Sequence, residues 1–89
     1  MQIIWSTRFK ADMKRMSRSG KYSSDELFDV LERLITGKPL DIRNRDHALI
    51  GEWDGYRELH IRPNWLLLYR IRQGAVELAR TGSHSELFK

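Results

Sequence analysis

The chain has 89 residues and no cysteine, and its 16 lysines and arginines outnumber 12 aspartates and glutamates, for a formal charge of +4 and a pI near 9.8. That length supports a single domain, one that buries only about 60–65% of the surface its unfolded chain exposes. Disulfide staples and cysteine-based zinc or redox chemistry are excluded, and the longest apolar run, WLLLY, is far shorter than the about 20 residues a spanning helix needs. The opening MQIIWSTRFK lacks the basic-then-apolar run of a secretory leader. The expectation is a soluble cytoplasmic protein with no membrane association. Charge is unevenly spread: Arg8, Lys10, Lys14, Arg15, Arg18 and Lys21 crowd the first quarter, with Asp12 the only acid among them. Such a block points to an anionic partner.

In chain order, QIIW reads as a short β-run. Ser6 is an N-cap for a first helix, because its hydroxyl can accept from an orphan backbone N–H. Phe9, Met13 and Met16 follow at helical spacing, and Gly20 terminates the helix. Ser23 with Glu26 has the capping-box pattern, and Leu27, Val30, Leu31, Leu34 and Ile35 form one apolar stripe of a second helix. Gly37 and Pro39 end it. After a basic connector, LDIRNRDHAL, the period shortens to that of strands. The turn pairs Asp54-Gly55, Pro63-Asn64 and Gln73-Gly74 separate runs at Leu49–Trp53, Tyr56–Arg62, Trp65–Arg72 and Ala75–Thr81. Four strands joined by tight turns make an antiparallel meander. WLLLYRI is apolar at both parities and is expected at the centre, covered on both faces. The predicted class is α+β, with two N-terminal helices packed on one face of a small, mainly antiparallel twisted sheet.

The histidines, His47, His60 and His84, are far apart in sequence, but the meander can gather them. By strand parity Tyr56, Glu58, His60 and Arg62 share one face, with Leu59 and Ile61 on the other. Three imidazoles can hold zinc, although no pair has the close helical spacing usual for such sites. The alternative is metal-free RNA cleavage, in which the substrate's own 2′-hydroxyl attacks. The protein then needs a base, an acid and a cation for the charge on phosphorus. Histidine can fill either proton role, and Arg80 forks onto phosphate oxygens. Trp65 and Phe88 offer faces on which unpaired bases stack, or else simply pack at a sheet edge. Arg80, at the parity of Val76 and Leu78, has a structural reading as well, as a snorkelling or ion-paired residue.

The segments DHALIGEWDGYRELHIRPNWLLLYRI and LARTGSHSELF closely resemble the YafQ branch of the RelE-like toxins of bacterial toxin–antitoxin systems, and the likeness covers nearly the whole chain. The resemblance implies a RelE-like, microbial-RNase-type fold. It also implies a ribosome-dependent endoribonuclease that cuts mRNA in the A site without metal or cofactor and is silenced by a cognate antitoxin. Operator DNA would be reached only through the antitoxin complex. By motif, His47, His60, Arg80 and His84 take catalytic positions. Asn64, Trp65 and Phe88 take substrate-binding ones, although the family has an aspartate where Asn64 stands, and asparagine cannot act as a base near neutral pH. Lys10, Lys14, Arg15 and Arg18 are assigned to ribosomal RNA or to the antitoxin. The competing function is a non-catalytic antitoxin-binding module that helps occupy operator DNA.

Overall fold

A computed structural model describes residues 1–20 and 22–88; Lys21, counted above in the basic block, and Lys89 lie outside the described residues. The elements are β1 (Gln2–Trp5), α1 (Thr7–Ser19), α2 (Ser24–Thr36), β2 (His47–Ala48), β3 (Arg57–Arg62), β4 (Trp65–Arg72), β5 (Ala75–Gly82) and α3 (His84–Leu87), with single 3₁₀ turns at Ile42–Asn44 and Gly51–Trp53. Local signals account for both long helices. Ser6 accepts from the Phe9 N–H at 3.0 Å, and Gly20 and Gly37 close α1 and α2 in the left-handed conformation that glycine adopts without steric cost. Ser23 is the N-cap of α2, but its hydroxyl accepts no cap bond and the capping box does not form. Glu26 instead turns to Arg62 on β3, which donates from Nε at 2.8 and 2.9 Å.

The five strands lie in the order β1-β5-β4-β3-β2, with β4 at the centre, and all pairs are antiparallel except β1–β5. QIIW is therefore an edge strand laid parallel to the last one, with everything between serving as the crossover. On one face α1 and α2 bury Phe9, Leu27, Val30, Leu31 and Leu34 against Leu59, Trp65, Leu67, Tyr69, Val76 and Leu78. On the other face Leu66 and Leu68 are covered by Leu87 of α3, with Phe88, Trp53, Leu49 and Ala79 around them. This second, smaller layer explains why β4 is apolar at both parities.

Two further expectations change. Leu49–Trp53 is not a strand: pairing is confined to His47–Ala48, and Gly51–Trp53 is a 3₁₀ turn. Gly51 there has φ +72°, which breaks the extended run. Strict alternation also fails at two register shifts, between His60 and Arg62 on β3 and opposite Leu68/Tyr69 on β5. At the first, Arg62 comes opposite Trp65 and joins the helix side, away from His60. At the second, Leu78 pairs with Tyr69 while Arg80 pairs with Leu68, so Arg80 leaves the parity of Val76 and Leu78. A bulge re-aims a side chain in just this way.

Candidate active site

Residues opposite one another in antiparallel strands point to the same face. One row across the sheet reads His47, Glu58, Leu68, Arg80, and the next reads His60, Leu66, Gly82. Leu66 and Leu68 lie under α3, so these rows belong to the face away from α1 and α2. Helix α3 adds His84 at its first position and Phe88 just past its end, with the two rings 5.0 Å apart. The three histidines and Arg80 thus reach one face from four different elements.

Glu58 is the centre of its nearer half. This carboxylate is 6% exposed, and its Oε1 lies 3.2 Å from His60 Nε2 and 3.8 Å from His47 Nε2. His60 Nδ1 also faces the Pro63 carbonyl, at 3.2 Å, so both ring nitrogens meet acceptors and only the imidazolium can donate to both. His47 Nδ1 lies 2.7 Å from the Arg45 carbonyl. A carbonyl only accepts, so Nδ1 carries the proton in the neutral ring and Nε2 keeps its lone pair. The connector that presents His47 is pinned at both ends. Asn44 Nδ2 donates to the His60 carbonyl at 2.8 Å, and Asp46 accepts from Tyr69 Oη at 2.6 Å and from Arg57 Nη2 at 3.0 Å. Burial, reinforced by Asp46, pushes the Tyr69 hydroxyl well above the usual phenol range, so it stays a donor. Among the described residues no group of three or more His, Cys, Asp or Glu is placed to hold a metal ion.

The farther half centres on Arg80. Its guanidinium donates to Asp12 of α1, Nε to Oδ2 at 2.7 Å and Nη2 to Oδ1 at 3.0 Å. Arg15 also donates to Asp12, at 2.8 Å, and the Thr81 N–H does so at 3.0 Å. Burial alone raises the Asp12 carboxyl, but the bonds from Arg80, Arg15 and Thr81 outweigh it and hold the group below the ordinary value of 3.8. A depressed carboxyl stabilises the folded chain fully above its unfolded pKa and loses that contribution as pH falls through the lower, folded one. Urea midpoints should therefore drop with acidification below about pH 4, and the drop should be shallower in Asp12→Asn. Equal slopes for the two proteins would remove Asp12 from the acid transition.

The model of the YafQ family, bacterial toxins of type II toxin–antitoxin systems, matches residues 1–89. The chain belongs to the YafQ toxin family. The mRNA interferase toxin YafQ of Escherichia coli (strain K12) is 33% identical over 87 residues, which are 97% of this chain and 94% of that protein. A metal-bound toxin from Helicobacter pylori has a TM-score of 0.91 at 36% identity, with 99% of each chain covered. A chain of the E. coli DinJ–YafQ complex has a TM-score of 0.86 at 31% identity, covering 99% of this chain and 98% of that one.

Other positions singled out in the sequence fall in different surroundings. Trp65 is 4% exposed in the helix-side core, where Nε1 donates to Thr81 Oγ1 at 2.9 Å and Tyr22 meets the ring edge-on. It offers no open face for stacking and only lines a hollow of about 720 Å³ with Met16, Pro63, Asn64 and Ser85. Asn64 is exposed at the β3–β4 turn. Arg15 is exposed like the other cations of α1, but its guanidinium is shared between Asp12 and Glu86. Lys10, Lys14 and Arg18 are exposed and stand four residues apart, on one ridge of the helix. Glu58 and Asp12, which contact His47, His60 and Arg80, were not singled out by the sequence. Glu58 shares strand parity with His60, and Asp12 is the single acid in a basic helix, but neither signal names a partner.

Proposed function

We propose that this YafQ-family toxin is an mRNA interferase, an endoribonuclease that cuts message in the ribosomal A site without a metal ion and is held silent by a cognate antitoxin. The observation that carries the reading is the meeting of His47 and His60 on Glu58, on the face that Arg80 and His84 share. The E. coli relative carries the name mRNA interferase, and a related chain is found in a complex with DinJ. In the proposed reaction His47 Nε2 takes the proton of the 2′-hydroxyl. The 2′ oxygen then bonds to phosphorus as the P–O5′ bond breaks. His84 gives the 5′ oxygen a proton, leaving a 2′,3′-cyclic phosphate and a 5′-hydroxyl. The His60–Glu58 pair holds His47 as it becomes charged, and Arg80 faces the negative charge that builds on the phosphoryl oxygens. Phe88 supports the nucleotide beside His84.

The row of Lys10, Lys14 and Arg18 is proposed to contact ribosomal RNA phosphates, or the antitoxin in its turn; such contacts supply affinity rather than sequence choice. Ribosome dependence places the protein in the cytoplasm, with operator DNA approached only inside the antitoxin complex. The test is end mapping of message in pre-formed ribosome complexes, with a transition-metal chelator in excess and magnesium retained for the ribosome. Cuts ending in cyclic phosphate are expected. Cutting that stops with the chelator and returns with added metal would overturn the metal-free scheme. Growth arrest with intact message would favour the non-catalytic module instead.

A further inference from the structure

We propose that Asp12, on α1, is a positioning residue for RNA cleavage, aiming the Arg80 guanidinium and tying it to the turn that carries His84. This rests on the reading that Arg80 meets the scissile phosphate. An arginine has five N–H donors in a planar fork. Asp12 occupies its side edge, through Nε and one Nη2 hydrogen. Nη1 and the remaining Nη2 hydrogen have no partner among the described residues. One Nη1 hydrogen and that Nη2 hydrogen point along the end of the fork, the edge that matches two phosphate oxygens. A guanidinium held from its side is fixed in rotation and keeps the donors at its tip uncommitted.

The place of the carboxylate explains why it can do this. Strand β1 ends at Trp5, opposite Leu78, so the remainder of β5 has no strand on that side. Asp12 covers this bare edge by accepting from the Thr81 N–H. Its side chain is 3% exposed and is surrounded by donors, which leaves it one orientation. The same carboxylate holds Arg15, whose Nε reaches Glu86 Oε2 at 3.0 Å. Glu86 Oε1 accepts from the Ser83 N–H at 2.8 Å, and Ser83 immediately precedes His84. The relay passes closely over Gly82. A Cβ there would lie 2.8 Å from Arg15 Nη2 and 3.0 Å from Glu86 Oε1, at a φ of +153°. Glycine is the residue that leaves the relay room.

The test is a double-mutant cycle of Asp12→Asn with Arg80→Ala, read as single-turnover cleavage at saturating toxin and corrected for folded fraction by circular dichroism. Asp12→Asn is expected to lower the saturated rate roughly 10–100-fold with little change in the toxin concentration giving half-maximal rate. On the Arg80→Ala background it should add no further loss, since both act through one group. Asp12→Glu, which keeps the charge but displaces it by a methylene, should also be slow. A wild-type rate per folded molecule in Asp12→Asn or Asp12→Glu, with Arg80→Ala slow, overturns the proposal and leaves the role of Arg80 standing. Fully additive losses in the double variant overturn it too. A fast Arg80→Ala instead removes the underlying reading of the site.

Discussion

Replacing His84 with alanine is expected to lower cleavage by about 10²–10⁴-fold, the range for loss of a general acid or base, without unfolding the chain. The side chain is exposed at the first position of α3, and its contact is with Phe88 rather than the core. The capping box of α3, in which Ser83 and Glu86 bond to each other's backbone, does not involve the imidazole and should persist. Circular dichroism and a thermal melt establish the fold, while mapped cut ends on translated message measure the loss. A folded His84→Ala protein that cuts at near-normal rate would remove the proton donor from the scheme. The 5′ leaving oxygen would then need another acid.

Trp65→Ala is expected to show its effect chiefly in stability. Emptying a buried tryptophan site costs about 3–5 kcal/mol, a large share of the roughly 5–15 kcal/mol that holds a small domain together. Trp65 is 4% exposed and lies against Tyr22, and its Nε1 donates to Thr81 Oγ1. Thr81 would keep its own bond to the Leu66 carbonyl, at 2.7 Å, so the loss is mainly cavity and contact. Urea denaturation measures it directly. A midpoint close to wild type, together with lost RNA affinity, would instead return Trp65 to the role of a stacking platform.

These two residues show where sequence reading stops. The tryptophan of PNW and the histidine of RTGSH look equally available in the sequence, yet one is sealed under α1 and α2 and the other is exposed at the start of α3. Motif spacing says which residues recur together; burial depends on which layer covers them. Glu58 makes the same point from the other side. Its parity with His60 is readable, but its near-complete burial between two imidazoles requires β2, a strand of only two residues, to bring His47 alongside.

Sequence alone determined the features whose causes lie within a few residues. They include the caps Ser6, Gly20 and Gly37, the apolar stripe of α2, the Pro63-Asn64 and Gln73-Gly74 turns, the central place of WLLLYRI, and the family motifs. Each rests on hydrogen bonds or periodicity that the local chain sets by itself. Tertiary structure decided the rest. It laid QIIW beside the last strand, inserted the bulges that turn Arg62 to the helices and Arg80 to the face of Leu68, and drew Asp12 onto Arg80 across 68 positions of chain. Register and ion pairing at such separation depend on the competing packing of both sheet faces. No window of neighbouring residues contains that competition.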